Sequence, residues 1–364
     1  MPTMIRPDSA DKPITNTYAS GRLGRWTPLF LLGGAAAVSI GVFSLMQVAG
    51  TTEEFNISGA VLLTLVVYAI AVYVASRLIE GARRAVDRLV TTLVATAFII
   101  ALLPLISVMF TVLTRGSARF DVQFFSESMR NVVGEGGGGL HAIVGTLLMT
   151  GAATLISVPI GLLAAIYLVE YGRGHLARAI TFFVDVMTGI PSIVAGLFAY
   201  AVFAIIFGPG IKLGIAGAVA LSVLMIPVVV RSSEEMLRLV PNELREAAFA
   251  LGVPRWLTIL KVVLPTSIAG ITTGVMLAIA RVIGETAPLL VAAGFTNNMN
   301  YDLTDGRMQS LPVFVYSSYV SQGIDAQSAL DRAWAGALTL IVIVMLLNLL
   351  ARIIARIFAP KLGR

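Results

Sequence analysis

The 364-residue sequence has no cysteine, two histidines and four lysines, and only 13% of its residues are charged. Without cysteine there is no disulfide framework, thiolate metal site or Fe–S cluster, and redox chemistry says nothing about the compartment. His141 and His175 are too few for a histidine-rich metal centre. The four lysines follow Asp11, Ile211, Leu260 and Pro360, so the Gly-Lys pair of a nucleotide-binding loop is missing and ATP cannot be hydrolysed by that route. H-E-x-x-H and G-x-S-x-G are missing as well. The expectation is a chain with no catalytic residue, no metal and no cofactor of its own. The low charge excludes an ordinary soluble domain, in which about 25% of residues are charged.

What is present is apolar surface: 57% of residues fall in the set AVILMFWYC. Several runs are long enough to cross a bilayer. Eight candidate spans emerge, at Pro28 to Val48, Gly59 to Ser76, Leu89 to Leu113, Leu140 to Leu168, Ile180 to Phe207, Ile211 to Val230, Thr266 to Gly294 and Trp334 to Phe358. The sequence predicts an all-α polytopic membrane protein, with the lipid bilayer as its solvent.

The net charge of +6 comes from 22 Arg and 4 Lys scattered between the apolar runs, not from a stripe suited to a phosphate backbone, so no nucleic acid is expected as a partner. Counted over alternating loops, 19 basic residues fall on one side of the eight spans, among them Arg6, Lys12, Arg22, Arg77, Arg83, Arg84, Lys361 and Arg364. Six fall on the other: Arg115, Arg119, Arg130, Lys212, Arg307 and Arg332. Because cytoplasmic loops retain positive charge, both termini are expected in the cytoplasm. Adding or removing one span would spoil the asymmetry.

Two long loops remain outside, Thr114 to Gly139 and Phe295 to Ala333; the glycine run Gly134 to Gly139 reads as a flexible connector in preference to an anion-binding nest. Pro159, Gly161, Pro191 and Pro227 predict kinked, packed helices, and Gly270 with Gly274 a close helix contact. Asp185 and Lys212, near span edges, are expected to snorkel.

Arg231 to Lys261 is the longest internal cytoplasmic loop. Pro241 suits a first helical position and Gly252 the left-handed position after the end, which predicts about three turns over Asn242 to Leu251. Leu244, Ala247, Ala248 and Leu251 fall on one narrow, alanine-rich face whose backbone could seat close to a groove in a partner. Pro254 is expected to open a second helix, with Trp256, Leu257, Ile259 and Leu260 at the bilayer surface before Pro265.

Glu246-Ala247-Ala248, then Gly252, nine intervening residues, and Val262, Leu264 and Pro265 resemble the E-A-A-x3-G-x9-I-x-L-P signature of ABC importer permeases, with Val262 in place of Ile. Gly284 to Leu290, Leu168 to Gly172 and Pro191 to Leu197 resemble the PstA type of phosphate permease, and the likeness runs from about Leu89 to Arg364. It implies a type I importer permease core (MetI-like) over 140–357 within a PstA-like region 89–364, preceded by a tail and two additional helices over 1–88. It also implies that 241–252, with Glu246, Ala247, Ala248 and Gly252, is a coupling helix docking into a separate ATPase. The implied assembly is an ATP-driven phosphate importer of the bacterial inner membrane. Its other parts would be a second permease (PstC type), an ATPase (PstB type) carrying ATP and Mg, and an extracytoplasmic phosphate-binding protein (PstS type).

Arg281 and Glu285 stand four residues apart, as if on one face of the seventh span. A charge at bilayer depth is costly and usually faces a partner or a polar cavity, and arginine's fork matches phosphate oxygens. The expectation is that Glu285 neutralises Arg281 at rest, that a passing anion competes for the guanidinium, and that Thr286 adds a donor. The same pair would suit phosphonate, sulfate or molybdate. An ion-gradient-driven carrier would need no ATPase, and the E-A-A signature argues against it.

Overall fold

A computed structural model describes residues 23–48 and 57–358. Arg6, Lys12, Arg22, Lys361 and Arg364, which entered the charge count, lie outside the described residues. Among those described, regular structure is helical: α1 (Thr27–Val48), α2 (Ile57–Ile79), α3 (Ala82–Gly116), α4 (Val122–Ser126), α5 (Leu140–Ile166), α6 (His175–Gly189), α7 (Ser192–Phe207), α8 (Gly214–Arg238), α9 (Asn242–Ala250), α10 (Arg255–Thr258), α11 (Leu264–Val282), α12 (Ala287–Ala292), α13 (Leu311–Val320) and α14 (Ala326–Phe358). Helices satisfy every backbone donor and acceptor inside one segment, as an apolar solvent demands.

Seven segments among the described residues are long and apolar enough to cross a membrane, and α6 with α7 make an eighth as a pair bent by 111°. The fifth apolar run is thus not one straight helix. Pro191 lacks a donor and holds an extended backbone between α6 and α7, so the ladder cannot continue through it. The seventh run is also interrupted. Helix α11 stops at Val282, residues 283–286 are not helical, and α12 is a separate short helix.

The chain divides into two compact units, Met1–Val108 and Met109–Arg364. In the first, α1 and α2 form a hairpin whose open end is tied by Glu80. Its carboxylate accepts from the Leu23 amide, the Ser76 hydroxyl and Arg88 Nη2, each at 2.8 Å.

In the second unit α5 and α8 run parallel, because contacts advance together along both. Met149 lies beside Gly217, Ser157 beside Ser222 and Gly161 beside Val229. Two parallel neighbours require the chain between them to cross back once, so α6 and α7 together make one crossing. Helix α11 lies antiparallel on α8, with Gly270 under Met236 and Gly274 under Ser232, the close contact expected of that glycine pair. Met149, Leu221, Met225, Val282 and Leu289 form the centre of the packing.

Three loop expectations change. The segment expected as a loop from Arg231 is shorter, since α8 runs to Arg238, and α10 continues through a wide turn at Ile259–Val263 into α11 without a stop before Pro265. Helix α13 occupies the second of the two long loops expected outside and buries Leu311, Val313 and Phe314, with the Ser310 hydroxyl accepting from the Val313 amide. The glycine run is held, not a flexible connector. Arg332 Nη1 donates to the carbonyls of Gly134 (2.8 Å) and Gly136 (3.0 Å), and Arg119 Nη2 to that of Gly137 (2.9 Å). These groups are acceptors facing cations, the reverse of an anion nest.

Candidate coupling and translocation sites

Helix α9 begins at Asn242, so Pro241 stands just before the helix and not at its first helical position, where it was expected. It ends as its sequence demands. Gly252 has φ +76°, its amide donates to the Phe249 carbonyl at 2.9 Å, and the Val253 amide donates to the Ala248 carbonyl at 3.1 Å. These are the paired bonds of a Schellman end, which favours glycine at the left-handed position. Among the described residues, none outside its immediate chain neighbours comes within 4 Å of a Cβ added there.

The apolar face of α9 is not spent on the chain itself. Only Ala248 is buried, at 8% exposure, while Leu244 is 42% and Leu251 84% exposed; Glu246, Ala247 and Gly252 are exposed as well. The helix is held by Arg245. Its Nη2 lies 2.9 Å from Glu170 Oε1 and its Nε donates to the same oxygen at 3.0 Å; Nη2 also donates to the Leu237 carbonyl (3.0 Å) and Nη1 to that of Val240 (2.6 Å). Glu170 sits in a wide turn, Tyr167–Tyr171, that ends α5. Arg255 of α10 lies over the Tyr171 ring, 5.4 Å from its centroid. Glu170 falls within the stretch Leu168 to Gly172, to which the sequence alone assigned no role. The available signal was a carboxylate within an apolar run, which needs a cation when buried.

A second network joins α6 to α8. Arg231 pairs with Asp185 and, at 3.1 Å, with Glu234, which accepts from Arg238 at 2.7 Å. Asp185 is therefore bonded across helices while its side chain stays exposed. Lys212 likewise folds back, its Nζ donating to the Leu290 carbonyl at 3.4 Å. Its polar head finds a carbonyl where α12 ends.

The expected Arg281–Glu285 pair is not formed. Arg281 lies in the last turn of α11 and is exposed, whereas Glu285 and Thr286 lie beyond the helix end and are half-buried. With the helix broken at Ile283, the i,i+4 geometry that would bring the two together is lost. Among the described residues no ion pair or hydrogen bond engages the Arg281 side chain. Glu285 and Thr286 lead directly into α12, and α12 packs on α7, where Gly196 meets the backbone of Pro288. Two separate stretches of the phosphate-permease likeness, 191–197 and 284–290, thus meet in space.

The family described as "Binding-protein-dependent transport system inner membrane component" matches residues 157–364. The phosphate transport system permease protein PstA 1 of Mycobacterium tuberculosis is 45% identical over 275 residues, covering 75% of this chain and 89% of the relative. The PstA of Pasteurella multocida is 42% identical over 282 residues, covering 77% and 96%. A chain of the bacterial alginate ABC transporter, solved with its alginate-loaded periplasmic protein, superposes with a TM-score of 0.53 at 16% identity, covering 79% of this chain and 100% of that one. A chain of the inward-facing MetNI methionine ABC transporter gives 0.50 at 22%, covering 61% and 96%. These solved structures carry the fold alone. The chain belongs to the binding-protein-dependent inner membrane components and, within them, to the PstA phosphate transport permeases.

Proposed function

We propose that this chain is one membrane subunit of an ATP-driven phosphate importer, completed by a second permease of the PstC type, an ATPase of the PstB type that holds ATP and Mg, and an extracytoplasmic phosphate-binding protein of the PstS type. The observation that carries the reading is α9, a short helix displaying Leu244, Glu246, Ala247 and Leu251 instead of burying them. An amphipathic helix left unpartnered by its own chain suits a groove in another. In this reading α9 and both termini lie in the cytoplasm; of the four residues expected at the ATPase, Glu246, Ala247 and Gly252 form the contact, whereas Ala248 is buried against this chain and seats the helix.

Closure of the ATPase pair would move α9 and the ends of α5 and α8 attached to it. The membrane helices would then alternate between outward and inward access by rigid-body motion. Phosphate would pass Arg281, Glu285 and Thr286 where α11 gives way to α12. Arg281, free of an internal carboxylate, is available to an oxyanion, whose oxygens fit the guanidinium fork. A conducting site must also release its ion, so this contact is expected to be weak.

The test is uptake of radiolabelled phosphate, with sulfate as control, in cells lacking this chain and other phosphate systems. Cells are restored with wild type or with Gly252→Asp. Phosphate-selective rescue by wild type and failure of Gly252→Asp at normal membrane level is the expected outcome. Equal rescue by both would remove α9 from coupling, and absence of any phosphate response would remove the substrate.

A further inference from the structure

Helix α9 is joined to the chain by turns at both ends, Val240-Pro241 before it and Leu251 to Pro254 after it, and buries only Ala248. A helix held by two turns and one alanine would rock when pushed. Among the described residues, every side-chain hydrogen bond that ties α9 to another element comes from Arg245. Arg245 projects from the first half of α9 and engages Glu170 at the end of α5 together with the carbonyls of Leu237 and Val240 at and just past the end of α8. Both charged side chains are largely withdrawn from solvent, with 12% of Arg245 and 5% of Glu170 exposed. The arginine fork makes these bonds in one fixed plane, which a lysine point charge cannot reproduce.

We infer that the Glu170–Arg245 pair is the positioning element that locks α9 to the ends of α5 and α8 as one rigid body. Displacement of α9 is thereby transmitted to the two parallel helices at the centre of the packing instead of being absorbed in the flanking turns. The inference rests on the reading of α9 as the contact with an ATPase. It adds that the contact is read out through α5, which is remote in sequence, as well as through α8. Neither Glu170 nor Arg245 touches the substrate in this account.

The experiment uses the complete transporter in proteoliposomes, with Glu170→Gln and Arg245→Lys as variants. Because the chain has no cysteine, spin labels can be placed at Glu243→Cys on α9 and Arg173→Cys just beyond α5. The wild-type distance is expected to stay constant between nucleotide-free and ATP-trapped states. Both variants are expected to retain the ATPase, to show a second or broadened distance, and to import at least fivefold less phosphate per ATP hydrolysed. Wild-type stoichiometry in the variants would overturn the inference, as would loss of the ATPase from them or a wild-type distance that changes with nucleotide. The wild-type distance measurement decides the matter even where a variant fails to fold. A wild-type complex that hydrolyses ATP and keeps the distance fixed but imports no phosphate would refute the substrate reading and uphold the lock.

Discussion

Gly196 of α7 lies against the backbone of Pro288 at the start of α12, so that a Cβ at 196 would sit 2.5 Å from the Pro288 Cα and 2.8 Å from its carbonyl oxygen. Backbone atoms of a proline at a helix start cannot move aside as a flexible side chain would. Gly196→Ala is therefore expected to destabilise the α7–α12 contact by about 1–3 kcal/mol, the usual cost of overpacking a tight contact. Thermal unfolding of the detergent-solubilised chain checks this, and an unchanged midpoint would refute it. Gly151, beside which a Cβ has nothing within 4 Å, is the control.

Arg281 is exposed in the last turn of α11, and Glu285 does not neutralise it. Arg281→Gln is expected to lower phosphate uptake at least tenfold with unchanged membrane level, a loss of about 1.4 kcal/mol or more in transition-state stabilisation. Arg281→Lys, which keeps the charge and loses the fork, is expected to fall between the two. Wild-type uptake by Arg281→Gln would remove this residue from the phosphate path.

Ala247 and Ala248 are adjacent in α9 but face different surroundings, since Ala247 is exposed and Ala248 is buried. Ala247→Phe is expected to leave the thermal stability of the isolated chain unchanged and to reduce copurification of the ATPase. Ala248→Phe is expected to lower that stability by about 1–3 kcal/mol. Equal behaviour of the two variants in both assays would contradict the assignment of one face to the partner and the other to the bundle.

Glu80 holds the open end of the α1–α2 hairpin, and its carboxyl is lowered from the ordinary 4.5 to about 2. The Arg88 hydrogen bond does most of this, against the opposing effect of burial and with help from the Leu23 amide and Ser76. A depressed carboxyl stabilises the fold fully above its unfolded value, near pH 4.5, and the contribution disappears as pH falls through about 2. Acidification across that window is expected to loosen the start of α1. Fluorescence anisotropy of Trp26, with Trp256 and Trp334 replaced by Phe, measures it. Glu80→Gln is expected to show the loosened state already at neutral pH and to flatten the pH dependence.

The ends of α9 were legible because they are local: Pro241 and Gly252 bracket three turns, and only glycine sits easily at φ +76°. The Ser310 cap and Pro312 of α13 were equally local signals, but a helix of ten residues within a long loop lacks the length that marks a span. The glycine run misled because flexibility in sequence is a property of the free chain. Here Arg332, 198 residues away from Gly134, fixes its carbonyls.

Apolar runs of bilayer length already specify a helical chain that crosses the membrane repeatedly. The same local reading shows which loops carry the positive charge and where α9 begins and ends, because apolar length, loop charge and helix ends each depend on residues a few positions apart. Tertiary structure alone decided that the fifth crossing bends by 111° and that α11 breaks before Glu285. It also brought Gly196 to Pro288 and put Glu170 on Arg245. Those outcomes depend on which helices lie side by side. Inside a nearly uniform apolar chain many pairings bury similar surface, and close backbone approach at glycines together with the few charges that must find partners selects among them.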